Sequence, residues 1–145
     1  MMEFWQYAVC CAMPDHSKLR VWRKSLDVTV CIADALSPAI SKRMPGLRNQ
    51  LLRSAASIAA NIAEGASQTT QTQYARYLSI ALGSASETES HLVLAIRLDV
   101  VRGNSEQLVG DVQSIRKMLF RLRQRVEGTP RASDTPPTSN RKPIA

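Results

Sequence analysis

Five cationic side chains fall within ten residues near the end of the chain: Arg116, Lys117, Arg121, Arg123 and Arg125, with no acid between Gln113 and Val126. Positive groups at that density suit phosphates, and such binding weakens steeply as salt rises. A solvated helix face, or one paired with acids of a neighbouring subunit, accounts for the same residues. No stacking platform for bases is expected among them, so the contact would be with backbone and carry little sequence preference. A second constellation is polar. Arg53, Ser57, Asn61 and Glu64 recur at steps of four, four and three, and Ser84 and Glu87 lie three apart further on. A seam of this kind beside an apolar stripe is expected to fix helix register or a subunit contact, because buried charge requires a partner. The third is Glu87 with His91, an i,i+4 pair on one helix face. A di-iron bundle needs paired Glu-x-x-His motifs, but Thr88 stands three before His91 and no second motif occurs. No metal and no cofactor are expected.

Catalytic signals are otherwise poor. The only histidines are His16 and His91, and there is no nucleophile elbow or phosphate-binding glycine loop. Cys10, Cys11 and Cys31 are too few and too unevenly spaced for a disulfide framework or a zinc site. They read as reduced thiols of a cytoplasmic protein. The apolar run from Tyr7 to Met13 follows Glu3 and no Lys or Arg, the wrong charge for a secretory signal. A poorly ordered extension with Met13 as a candidate start is expected there. No stretch reaches the ~18 apolar residues of a membrane span.

The elements that must carry these residues are helices. The chain has 145 residues, 44% hydrophobic and only 5% aromatic, with 19 Lys+Arg against 12 Asp+Glu for a net charge of +7. That length suits one domain, and the charge favours polyanionic or acidic partners. Apolar residues at steps of three and four predict four helices. The first, over 18–40, carries the stripe Leu19, Trp22, Leu26, Thr29, Ala33, Leu36 and Ile40 and ends before Pro45-Gly46. The second, over 47–64, carries Leu47, Leu51, Ala55, Ile58 and Ile62, with Gly65 as a left-handed terminator. The third, over 71–101, carries Tyr74, Leu78, Ala81, Ala85, Thr88, Leu92, Ala95 and Asp99 and stops at Gly103-Asn104. The fourth, over 105–127, carries the heptad Leu108, Val112, Ile115, Leu119, Leu122 and Val126, capped by Ser105. The predicted fold is all-α, an antiparallel up-down-up-down four-helix bundle over 18–127. Residues 1–17 are expected to be an extension and the proline-rich 128–145 a disordered C-terminal tail.

Two runs carry a family resemblance. The segment 50–65, QLLRSAASIAANIAEG, resembles the second-helix signature of the small bundle proteins encoded in bacterial 23S rRNA intervening sequences. The segment 74–87, YARYLSIALGSASE, is similar to that family's third-helix signature, and Leu19-x-Val21-Trp22 matches its first helix. The resemblance spans 19–127. Leu52 replaces a basic residue common in the family, Ala59 a common proline, and uncharged residues at 66–72 a basic run. The resemblance implies a homopentameric ring and no catalytic activity. It extends to the accessory variability determinants of diversity-generating retroelements, basic pentamers that associate with a reverse transcriptase and nucleic acid. The expected function is a non-enzymatic oligomer presenting basic surface to RNA or DNA, with a reverse transcriptase as a candidate partner. The alternative is a protein-interaction scaffold with no nucleic-acid role.

Overall fold

A computed structural model describes residues 15–128. Most of the expected extension and tail, with Cys10, Cys11 and Met13, therefore lies outside the described residues. These residues form five α-helices and no strand: α1 (Arg20–Ala35), α2 (Ile40–Arg43), α3 (Leu47–Ala66), α4 (Gln71–Arg97) and α5 (Ser105–Glu127). The four long helices pack in a closed cycle, α1 on α3, α3 on α4, α4 on α5 and α5 on α1. Partners across the α3–α4 contact descend as α3 ascends, from Ser54–Thr88 to Ser57–Ser84 to Glu64–Tyr77, so these two helices run antiparallel.

The core is continuous around that cycle. Leu51, Ile58 and Ile62 of α3, Leu78 and Leu92 of α4, and Val112, Ile115 and Leu119 of α5 are fully buried. These are the predicted stripes of three helices, as the 3.6-residue period requires.

The first helix departs from its prediction twice. Its buried face is Val21, Ser25, Val28 and Ile32, one residue before the expected stripe and so rotated by about 100°. Trp22, Thr29 and Ala33 are half-buried on the flank, and Leu26 and Val30 are 41% and 59% exposed. Two apolar tracks run side by side along α1. Packing buries the Val21 track, and each track's polar member bonds a carbonyl one turn back, Ser25 Oγ to Val21 O and Thr29 Oγ1 to Ser25 O, both at 2.7 Å. The helix also ends early. Pro38 disfavours a helical conformation in the residue before it, and the extended Leu36 pairs with Val101 in an isolated bridge. Ser37 N–H donates to Val100 O at 2.8 Å and Arg102 N–H to Ala35 O at 2.8 Å. The end of α1 is thereby tied to the α4–α5 connection. The turn α2 follows, and Gly46 (φ +88°) supplies the left-handed residue that starts α3.

Three ends differ from expectation. Gly65 lies inside α3 rather than terminating it. A Cβ there would sit 2.8 Å from Tyr77 Cβ, so the missing side chain admits α4. α4 stops at Arg97, with Asp99 itself left-handed (φ 55°), so the end precedes Gly103-Asn104. Asn104, not Ser105, caps α5, its side chain accepting from Gln107 N–H at 3.0 Å. An Asx residue immediately before a helix serves this role, which frees Ser105 to be helical.

Candidate nucleic-acid interface

The five cations on α5 do not form one row. At about 100° per residue, Lys117 and Arg121 point away from the core, Arg116 and Arg123 lean to one flank, and Arg125 lies further round the opposite way. Arg116 is engaged, donating to the Glu89 carboxylate on α4. Gln113 Nε2 donates to the same carboxylate at 2.9 Å. The Gln113 bond, and then Arg116, hold the Glu89 carboxyl below its ordinary value. Arg123 pairs with Glu127 one turn on, at 3.0 Å. Lys117 and Arg121 are exposed and make no ion pair among the described residues. Arg125 lies in the last turn of α5, where positive charge complements the helix carbonyls.

An aromatic ring is interleaved after all. Phe120 is 51% exposed, between Lys117 and Arg121 in sequence and on the flank of α5 that carries Gln113 and Arg116. It lines an open groove of about 420 Å³ between α4 and α5 together with Leu82, Gln113, Arg116, Lys117 and Arg121. The expectation of no stacking platform rests on the basic run having no interleaved aromatic, which passes over Phe120 between Lys117 and Arg121 in the sequence. A second groove of about 290 Å³ continues along the same pair of helices past Ile96, Val109 and Gly110.

The polar seam divides. Ser57 and Ser84 meet hydroxyl to hydroxyl at 3.0 Å, and Asn61 Nδ2 donates to Ser57 O at 2.8 Å and Ser57 Oγ at 2.9 Å. The same ladder holds two residues that sequence reasoning left out of it, Ser54 and Thr88. Thr88 Oγ1 lies 3.1 Å from Ser54 Oγ and bonds Ser84 O at 2.8 Å. Their spacing, three before Ser57 and four after Ser84, was the available signal. Glu64 accepts from the Tyr77 hydroxyl at 2.8 Å, which raises the Tyr77 phenol above its ordinary value. Arg53 and Glu87 are exposed and are not brought into this ladder. The seam is therefore a set of hydroxyl and amide bonds, with the Tyr77–Glu64 bond at one end, that registers α3 against α4. His91 is half-buried, and no group of three or more His, Cys, Asp or Glu placed to hold a metal occurs among the described residues. α5 is fixed on its other side by Lys24 Nζ of α1, 2.6 Å from Asp111 Oδ1, a contact that lowers the Asp111 carboxyl.

Fold and site together define an all-helical, bundle-like protein with an aromatic-centred cationic groove on one outer seam. The chain belongs to the 23S rRNA-intervening sequence protein family, whose pattern matches residues 17–121. It is similar to a crystal structure from Bacteroides thetaiotaomicron, described as a protein of unknown function from the S23 ribosomal protein family. The two share 32% identity and a TM-score of 0.63 over 72% of this chain and 95% of that one. No curated protein matches the sequence. Among the described residues no helix is long and apolar enough to cross a membrane.

Proposed function

We propose that this protein is a non-enzymatic, homo-oligomeric four-helix bundle that binds the phosphate backbone of RNA or DNA through the outward face of α5. Its four long helices run up-down-up-down, its place is the cytoplasm, and a reverse transcriptase is its candidate protein partner. The observation that carries the reading is the pair Lys117 and Arg121, one turn apart, outward, and without an acid paired to them among the described residues. Two cations about 6 Å apart along a helix axis form the start of a track for consecutive phosphates. The net charge of +7 acts in the same direction over longer range. Assembly into a ring, which the family resemblance implies as a pentamer, repeats this face about an axis and adds avidity.

A subunit-contact reading also has a specific observation behind it. Leu26 and Val30 are exposed on the outer side of α1, with the exposed acids Asp27 and Asp34 on the same helix. That face is the one we assign to association between copies, which leaves α5 for the polyanion. The test is binding of labelled RNA and of a labelled DNA duplex at about 50 mM salt, beside a Lys117→Glu/Arg121→Glu variant. Binding lost in a variant of unchanged helicity supports the reading. Equal binding by the two proteins puts the nucleic-acid contact elsewhere than on Lys117 and Arg121, and no binding by either leaves a scaffold.

A further inference from the structure

We propose that Phe120 is a base-stacking platform and that the α4–α5 groove selects single-stranded over double-stranded nucleic acid. The inference rests on the polyanion reading of α5 and adds a substrate class to it. A phenylalanine 51% exposed among the exposed Gln113, Arg116, Lys117, Arg121 and Gln124 gains nothing from water. Its surroundings describe what would cover it. Leu82 of α4 and Phe120 of α5 supply apolar surface, while Lys117 and Arg121 stand at its margin. The groove, at about 420 Å³, is in the size range of sites that take small aromatic ligands.

An apolar surface ringed by cations matches an anion with an aromatic part, and a single strand repeats that unit once per nucleotide. Its phosphates can follow Lys117 and Arg121 while a base lies against the Phe120 ring, a contact every base can make through its π-face. In a duplex both faces of each base are already stacked, and freeing one requires unstacking it. The groove wall is held in place before anything binds. Glu89 fixes both Gln113 and Arg116, and the bond from Gln113 Nε2 leaves that side chain's carbonyl oxygen available as an acceptor for a base edge. Lys117 and Arg121 have no ion pair among the described residues and can follow the backbone.

The experiment measures affinity of the full chain for labelled single strands of about 16 nucleotides, one of RNA and one of DNA, and for the corresponding duplex. The variants are Phe120→Ala, Phe120→Leu and Phe120→Trp, and each is also sized by sedimentation. The expected result is a single strand bound on the order of ten-fold tighter than the duplex. Phe120→Ala and Phe120→Leu lose that margin, Phe120→Trp keeps it, and duplex binding is unchanged in all three. A preference in either the RNA or the DNA arm supports the platform, and the tighter arm names the source. Equal strand and duplex affinities, indifferent to Phe120 yet abolished by Lys117→Glu/Arg121→Glu, overturn the platform and leave the polyanion reading standing. No binding by any form overturns both. A fall in assembly size on Phe120→Ala overturns the platform too, because the groove is then covered by a second copy of this chain.

Discussion

A methyl group added at Gly65 would lie 2.8 Å from Tyr77 Cβ and 2.9 Å from Tyr74 Cδ2, whereas one added at Gly83 meets nothing within 4 Å. Both glycines are helical, so alanine is intrinsically better at each by about 1 kcal/mol. At Gly65 the overlap with a tyrosine Cβ wins, because neither helix can withdraw without opening the hydroxyl ladder between Ser57 and Ser84. Gly65→Ala is expected to destabilise by about 1–3 kcal/mol, and Gly83→Ala to stabilise by about 0.5–1 kcal/mol. Thermal unfolding of the two variants checks both signs. Sequence reading assigned Gly65 to a helix end, since a glycine after Ile62-Ala63-Glu64 looks the same whether it turns the chain or admits a neighbour. Phe120 was legible but overlooked: it stands among the cations in the sequence, and the heptad places it about 100° past Leu119, off the buried seam.

At the scale of elements, α5 is held by one ion pair on each side, Lys24–Asp111 towards α1 and Arg116–Glu89 towards α4. Both carboxyls titrate below their ordinary values, Asp111 chiefly through Lys24 and Glu89 chiefly through Gln113. A depressed folded-state pKa gives stability that is present above the unfolded value and disappears as pH falls through the folded one. The window therefore opens near the ordinary values of 4.5 and 3.8 and extends downward. Unfolding temperature is expected to hold steady from neutral pH to about 5 and then to fall. Glu89→Gln and Asp111→Asn should each flatten part of that fall, worth about 0.2–1 kcal/mol for such solvent-accessible pairs. Temperature scans across pH would show it, and an unchanged profile in the double variant would contradict the clamp. The stripes of α3, α4 and α5 were legible because each has one apolar track at helical spacing. α1 was not, because Val21-Val28-Ile32 and Trp22-Leu26-Ala33 are both adequate tracks. Choosing between them takes the rest of the core. Its end was legible in principle at Pro38, seven residues before the proline that was given the role.

For the molecule as a whole, the exposed track on α1 and the exposed ring on α5 have different assigned partners, and substitutions should separate them. Val30, 59% exposed, is the residue we propose for a contact between copies. Val30→Glu is expected to keep the fold while reducing the sedimenting mass, because repulsion from Asp27 and Asp34 within the helix costs only about 0.2–0.5 kcal/mol whereas a charge in an apolar contact between copies costs far more. Leu119, fully buried in the same α5 that carries the cations, behaves oppositely. Leu119→Asp should unfold the protein, with a loss of several kcal/mol from an unpaired charge in the core. Circular dichroism distinguishes the two at once. The candidate site was half legible in the sequence. The cluster of charge could be counted, but not which of its members Glu89 and Glu127 had already taken.

The salt dependence of nucleic-acid affinity decides whether α5 is the phosphate contact. The slope of log affinity against log salt reports how many phosphates the protein neutralises. The account predicts a steep negative slope for the native chain, made shallower by roughly 2 in Lys117→Gln/Arg121→Gln, about one for each lost phosphate contact. A slope that is flat, or steep but identical in the variant, would contradict it and place the interface elsewhere than on α5.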